Sequence, residues 1–163
     1  MTVEQVFAAG RVRRWHSHPE MSHTEDYNDA HQGRVARLIL ALHPSPSALL
    51  IAAALTHDDG ESGPGDMSRQ AKRANPELRA MLQELEDAKI CQIWNTPIPP
   101  RMSLNPDEIA WLKFCDLLDG YMWVKHKNPN ILAQPGWIAN RNELAEFAKS
   151  QHIIHLIKTI GLA

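Results

Sequence analysis

Apolar residues recur along most of this chain at the three-to-four-residue spacing of amphipathic helices. Val3, Val6, Phe7 and Gly10 predict a first helix within 3–15. A stripe of Tyr27, His31, Val35, Leu38 and Leu42 predicts a second, with Thr24 as its N-cap and Glu25 and Asp26 in the first turn, where a helix favours acids. Pro44 and Pro46 break the pattern and Ser47 can cap a third. That third helix, from Leu49 through Ile51 and Ala53 to Leu55, is apolar on almost every side, so it reads as buried. It is expected to deliver His57 and Asp58 at its C-terminal end, with Gly60 available to terminate it.

Beyond a Gly63-Pro64-Gly65 loop, a short basic helix over 67–74 carries Arg69, Lys72 and Arg73. Asn75-Pro76 and Asn105-Pro106 each pair a capping side chain with a proline suited to the first helical position. The first opens a helix through Leu78, Met81, Leu82, Leu85, Ala88 and Cys91 to about Trp94. The second opens one whose inner stripe is Ile109, Leu112, Asp116, Asp119 and Trp123. A final amphipathic region beginning at Pro135 or Asn140 runs through Leu144, Phe147, Ile153, Ile154 and Ile157. No hairpin signal, internal repeat or low-complexity tract interrupts this series, so the fold class is all-α, a helical bundle. At 163 residues it is expected to be a single domain, 1–163.

Composition narrows the picture only slightly. The formal net charge of -2 gives no footprint for a stable nucleic-acid partner, although Arg11, Arg13 and Arg14 form a local basic patch. No run reaches the ~18 apolar residues needed to cross a bilayer, and the N-terminus lacks an export signal, so a cytoplasmic location is expected. Cys91 and Cys115 match no metal or redox spacing and read as reduced thiols. The nine histidines are the compositional oddity.

Polar groups on apolar stripes need partners, because burying a charge is costly unless it is paired or coordinates a metal. Three predicted helices offer such groups: His31, then His57 with Asp58, then Asp116. Two imidazoles and two carboxylates suit a divalent transition metal such as Co, Mn or Zn with positions open to water and substrate. The absence of a thiolate argues against a closed structural zinc site. Asp119 is either a carboxylate orienting a metal-bound histidine or, the preferred reading, a salt-bridge partner. His16, His18 and His23 are read as a solvated polar loop rather than a second metal site. Trp94, Trp111 and Trp137 are read as core or interface anchors, and His126, His152 and His155 as surface or packing residues.

The pattern His31, His57-Asp58, Asp116 resembles the HD-domain metal-dependent phosphohydrolases over roughly residues 11–125. The finer resemblance is to bacterial 5'-deoxynucleotidases and to the dATP triphosphohydrolases of phages that replace adenine with 2-aminoadenine. Arg14-Trp15 precedes the first histidine. Glu61 follows His57-Asp58 by three residues, Gly65-Asp66 comes next, and Lys72 lies a little further on. Asp116 stands in a Cys-Asp-Leu context ahead of Tyr121.

The resemblance implies that His31, His57, Asp58 and Asp116 hold the metal and that Glu61 handles the proton of the attacking water or of the leaving oxygen. It implies that Arg14 and Lys72 pair with phosphate, that Trp15 lies against the sugar and disfavours a 2'-hydroxyl, and that Asp66 binds further metal or the sugar. It implies a deoxynucleotide substrate, most specifically dATP cleaved to deoxyadenosine and triphosphate, with additional Mg on the polyphosphate. The alternatives are a 5'-deoxynucleotidase acting on monophosphates and a catalytically inactive nucleotide-binding module. A homo-oligomer, dimer or hexamer, is expected, in the host cytoplasm if the protein is phage-encoded. The histidine-rich segment between Trp15 and His31 and the Gly63-Pro64-Gly65 loop depart from the family pattern, and both belong to the part that would shape the base and polyphosphate pocket.

Overall fold

The computed structural model describes residues 1–67, 69–158 and 161. Among them the regular structure is helical, as the periodicity predicts: α1 (Val3–Gly10), α2 (Asn28–Leu42), α3 (Ala48–Ala54), α4 (Arg69–Ala74), α5 (Pro76–Trp94), α6 (Pro106–Lys127), α7 (Pro135–Ser150) and α8 (Ile154–Ile157). Short 3-10 turns lie at Asp59–Ser62, Pro100–Ser103 and Pro129–Ala133. An isolated bridge between Arg13 and Tyr27 is the one extended pairing among the described residues. No helix among them is long and apolar enough to cross a membrane.

The predicted caps of α5 and α6 form as their chemistry requires. The Asn75 side chain accepts from the Leu78 amide, and Asn105 and Glu108 close a reciprocal capping box at the start of α6. Helix α6 runs through the centre and packs on α2, α3 and α7. Its buried Trp111, Phe114, Leu118 and Val124 meet Val35 and Ile39 of α2, Leu50 of α3 and Leu144 of α7 in one core. Phe147 stacks on Phe114 at 4.6 Å and meets Trp111 edge-on at 5.1 Å, so α7 is fastened by aromatic contacts as well as by area. Both cysteines are free thiols. Burial and the neighbouring Asp116 charge push the Cys115 thiol up to about 12.

Four expectations are corrected. Helix α1 ends at Gly10, not near Trp15, and 11–27 becomes a loop. Helix α2 begins at Asn28, so Thr24 does not cap it: its hydroxyl donates to the Met21 carbonyl, and Asp26 is a buried carboxylate. Helix α3 stops at Ala54 and is buried on one side only, with Leu49 and Leu55 substantially exposed. His57 and Asp58 therefore sit in the turn beyond the helix, and Gly60 is not its cap. Gly60 instead lets the 3-10 turn press against α5, where an added Cβ would lie 2.3 Å from the Glu86 carbonyl oxygen.

Helix α5 packs on this turn through a face other than the predicted one. Leu82, Glu86, Ile90 and Ile93 are buried, while Met81, Leu85 and Ala88 face outward. A carboxylate in the middle of the inner stripe is invisible to hydrophobic periodicity, which is why the pattern points to the wrong face. Helix α4 begins at Arg69 rather than Met67, and the Arg69 side chain lies outside what the structure describes.

Candidate metal centre

Three segments converge on one buried spot. Helix α2 supplies His31, the turn after α3 supplies His57 and Asp58, and α6 supplies Asp116 with Asp119 one turn on. His31 is fully buried, and its Nδ1 lies 2.7 Å from Oδ2 of Asp119. The Nδ1 of His57 lies 2.8 Å from the carbonyl oxygen of Ala54. A carbonyl only accepts, and so does an ionised carboxylate, so each Nδ1 must donate. That leaves the Nε2 lone pair of each neutral ring facing inward. Both Nε2 atoms are buried with no hydrogen-bond partner.

The carboxylates gather around these two nitrogens. His31 Nε2 is 3.5 Å from Asp58 Oδ2 and 3.2 Å from Asp116 Oδ1; His57 Nε2 is 3.6 Å and 4.0 Å from the same two atoms. Ligand atoms each about 2.1 Å from one ion lie about 3 to 3.5 Å from one another. The observed spacing is slightly looser, so small adjustments of these side chains would close it. His31, His57 and Asp58 form a set that could hold a metal ion, with one potential ligand atom from each within 4.8 Å of the others. Asp116 stands at the edge, its side chain 42% exposed. That is a suitable position for a ligand beside the side open to solvent.

The electrostatics agree with a cation site. Burial opposes ionisation of Asp58, but the imidazoles and Arg14 hold its carboxyl and that of the partly exposed Asp116 below their ordinary range. Burial and Arg14 likewise oppose a charged His31, yet Asp116 and Asp119 raise its pKa. Without a metal the cluster draws a proton to the position a divalent ion would neutralise.

The other predicted site residues surround this centre. Arg14 Nη1 donates to Asp58 Oδ2 at 2.8 Å, and its Nε, 3.5 Å from Asp26, is buried without a hydrogen-bond partner. Glu61 is buried, and its Oε2 accepts from Asn28 Nδ2 at 3.1 Å. Burial first, then the Asp58 and Asp66 charges, push its carboxyl well above the usual range. Lys72 Nζ lies 3.8 Å from Glu61 Oε1 but 3.0 Å from Glu86 Oε1, so its nearer partner is a carboxylate of α5. The Trp15 amide donates to Asp66 Oδ2 and its indole to Asp26 Oδ2. Its backbone is left-handed, at φ 65, which a bulky residue adopts only when its surroundings over-determine it. Its ring packs beside Trp137 and Gly120.

Three further readings change. Asp119 is not simply a salt-bridge partner: Arg34 donates to it at 2.6 and 2.9 Å, and the same carboxylate orients His31. The loop histidines are not uniformly solvated. His16 and His23 are exposed, but His18 is buried edge-on to Trp15, and the three are not among the candidate metal clusters of the described residues. The arginines 11, 13 and 14 do not form a patch. Arg11 lies over Tyr27, Arg13 donates to the Ser22 and Thr24 carbonyls, and Arg14 enters the metal centre.

Sequence reasoning missed Asn28, Asp26, Arg34 and Glu86. Asn28 and Arg34 stand three residues on either side of His31, on the same helical face, and that spacing is the signal that could have found them. Comparison with family models, with curated proteins and with solved structures returns no match.

Proposed function

We propose that this chain is a metal-dependent phosphohydrolase of the HD type acting on deoxynucleotides. The observation that carries the reading is the pair of buried, partnerless imidazole Nε2 atoms facing Asp58 and Asp116. His31, His57, Asp58 and Asp116 would hold a divalent transition metal. Such an ion, when bound, supplies Lewis acidity to a phosphoryl oxygen and acidifies water at neutral pH.

The remaining steps belong to the protein. Glu61, whose carboxyl burial and the Asp58 charge push well above the ordinary range, is suited to pass a proton to the leaving oxygen or take one from water. Arg14 offers a guanidinium to phosphate oxygens, a geometry in which arginine excels. Trp15, pinned by Asp26 and Asp66, presents a rigid ring to a sugar. The choice of deoxynucleotide rests on the resemblance of these residues to the HD phosphohydrolases.

Within that class the leading substrate is dATP. Water would cleave the bond between the α-phosphorus and the 5'-oxygen, giving triphosphate and deoxyadenosine, with Mg on the polyphosphate. One observation favours the second reading, a 5'-deoxynucleotidase. Lys72 is paired with Glu86 at 3.0 Å and Arg14 with Asp58 at 2.8 Å, so both cations beside the centre already hold carboxylates, and a monophosphate needs fewer free cations than a triphosphate. A catalytically inactive binding module would not need Glu61 and four metal ligands together.

The test offers each dNTP and dNMP separately to protein loaded with Co or Mn and identifies the released species. Triphosphate and deoxyadenosine from dATP establish the leading substrate. Orthophosphate from monophosphates alone establishes the second reading. No release from any nucleotide, with metal bound, overturns the deoxynucleotide assignment.

A further inference from the structure

Asn28 is a fully buried polar side chain that the ligand set does not use. It sits on the first turn of α2, three residues before His31 and on the same face. Its Nδ2 donates twice, to the Asp58 carbonyl oxygen at 3.0 Å and to Glu61 Oε2 at 3.1 Å. Both partners are acceptors, so the orientation of the amide is fixed by chemistry rather than by choice. The Asp58 carbonyl also accepts from the Glu61 amide at 3.0 Å. One carboxamide thus ties both ends of the Asp58–Glu61 turn to the helix that carries His31.

The bond leaves the two Glu61 oxygens unequal. Oε2 is held by Asn28, while Oε1 faces the ammonium of Lys72 at 3.8 Å. A carboxyl group that exchanges a proton with a reactant must present one oxygen in a fixed direction, because misplacement by an ångström costs heavily in rate. A buried glutamate free to rotate could not do so. The apolar side chains common on an inner helical face would leave Glu61 without this donor.

Resting on the function proposed above, we infer that Asn28 is a positioning residue for Glu61. It clamps Oε2 so that Oε1 is the oxygen presented to the reacting groups, and it registers that carboxyl to the turn bearing Asp58. Its Oδ1 is buried and has no hydrogen-bond partner.

The experiment is a double-mutant cycle between Asn28→Leu and Glu61→Gln in the metal-loaded protein. Asn28→Leu should keep stoichiometric metal and a near-unchanged KM while kcat falls on the order of ten- to a hundredfold. In the Glu61→Gln background the same change should cost less than about twofold, because the group it positions is already disabled. Multiplicative losses would overturn the inference, as would full activity of Asn28→Leu.

A second readout does not need turnover. Infrared titration of the Glu61 carboxyl, assigned by its loss in Glu61→Gln, should shift to higher pH in Asn28→Leu, because the hydrogen bond that favours the ionised form is gone. An unmoved midpoint overturns the clamp even if no nucleotide proves to be a substrate. A wild-type protein that releases no product, but whose Asn28→Leu variant shows the shift, removes the proposed function and leaves the clamp standing. Should Asn28→Leu fail to fold, Asn28→Ser, smaller and still polar, is put through the same two measurements.

Discussion

The Nδ1 atom of His31 and the Oδ2 atom of Asp119 are 2.7 Å apart, joining a residue of α2 to one of α6 across 88 positions of sequence. This bond decides which nitrogen of His31 faces the centre. Asp119 is itself held by Arg34, so the imidazole is aimed by a carboxylate that cannot easily turn. Asp119→Asn keeps the size of the side chain but removes the charge. Metal affinity should fall on the order of ten- to a hundredfold, measured by competition with a chelator of known affinity. Unchanged affinity would remove Asp119 from the support of the site.

Glu61→Gln separates chemistry from assembly. The four proposed metal ligands are untouched, so metal content should stay at the wild-type ratio. Turnover should fall by about a hundredfold or more, the usual contribution of a positioned general acid or base. Metal analysis and kcat on the same preparation check both halves.

The pH dependence of the metal-free protein follows from two groups. His31 has its pKa raised on folding, so its contribution is complete below the unfolded value of about 6.5 and is lost as the pH rises through the folded one. Glu61 is also raised, so the unfolded chain releases that proton first and stability again declines with rising pH. The melting temperature in the presence of chelator should therefore fall as the pH rises through and above the unfolded glutamate and histidine values of about 4.3 and 6.5. Added Co or Mn should raise the melting temperature more at pH 8 than at pH 6, since the metal must displace protons. A metal-induced increment that shrinks with pH would contradict the ligand assignment.

Gly60→Ala should destabilise the fold by about 3 kcal/mol, because the new methyl meets the backbone of Glu86, which cannot swing away. Gly63→Ala is the control: its added Cβ would come no nearer than 3.6 Å to any atom. Denaturant midpoints of the two variants, compared with wild type, give the answer directly. Equal midpoints would mean that α5 does not rest on the 3-10 turn as described.

What the sequence disclosed depended on how local the signal was. The caps at Asn75 and Asn105 are read within four residues, and both are present. The inward placement of His31 follows from a single helical stripe and also holds. The α5 face did not follow, because Glu86 is buried through contacts with a lysine fourteen residues away and a glycine on another element. The end of α3 was misplaced for a related reason. Alanine and leucine favour helix as far as Leu55, but His57 and Asp58 must leave the helical path to meet His31. Acidic residues before α2 resembled a first turn, yet Asp26 was required elsewhere, by Arg34 and Trp15. No local pattern carries such long-range pairings.

The buried carboxylate of Asp26 gives the centre a mechanical property. Trp15 and Arg34 both donate to it, and Arg34 passes on to Asp119 and so to His31. The loop that would meet the substrate and the ligand that would meet the metal therefore hang from one pin. A displacement of Trp15 would be passed through Asp26, Arg34 and Asp119 to the imidazole of His31. Three side chains, Asp26, Arg34 and Asp119, thus join Trp15 to His31, so a ligand that ordered one end would be felt at the other.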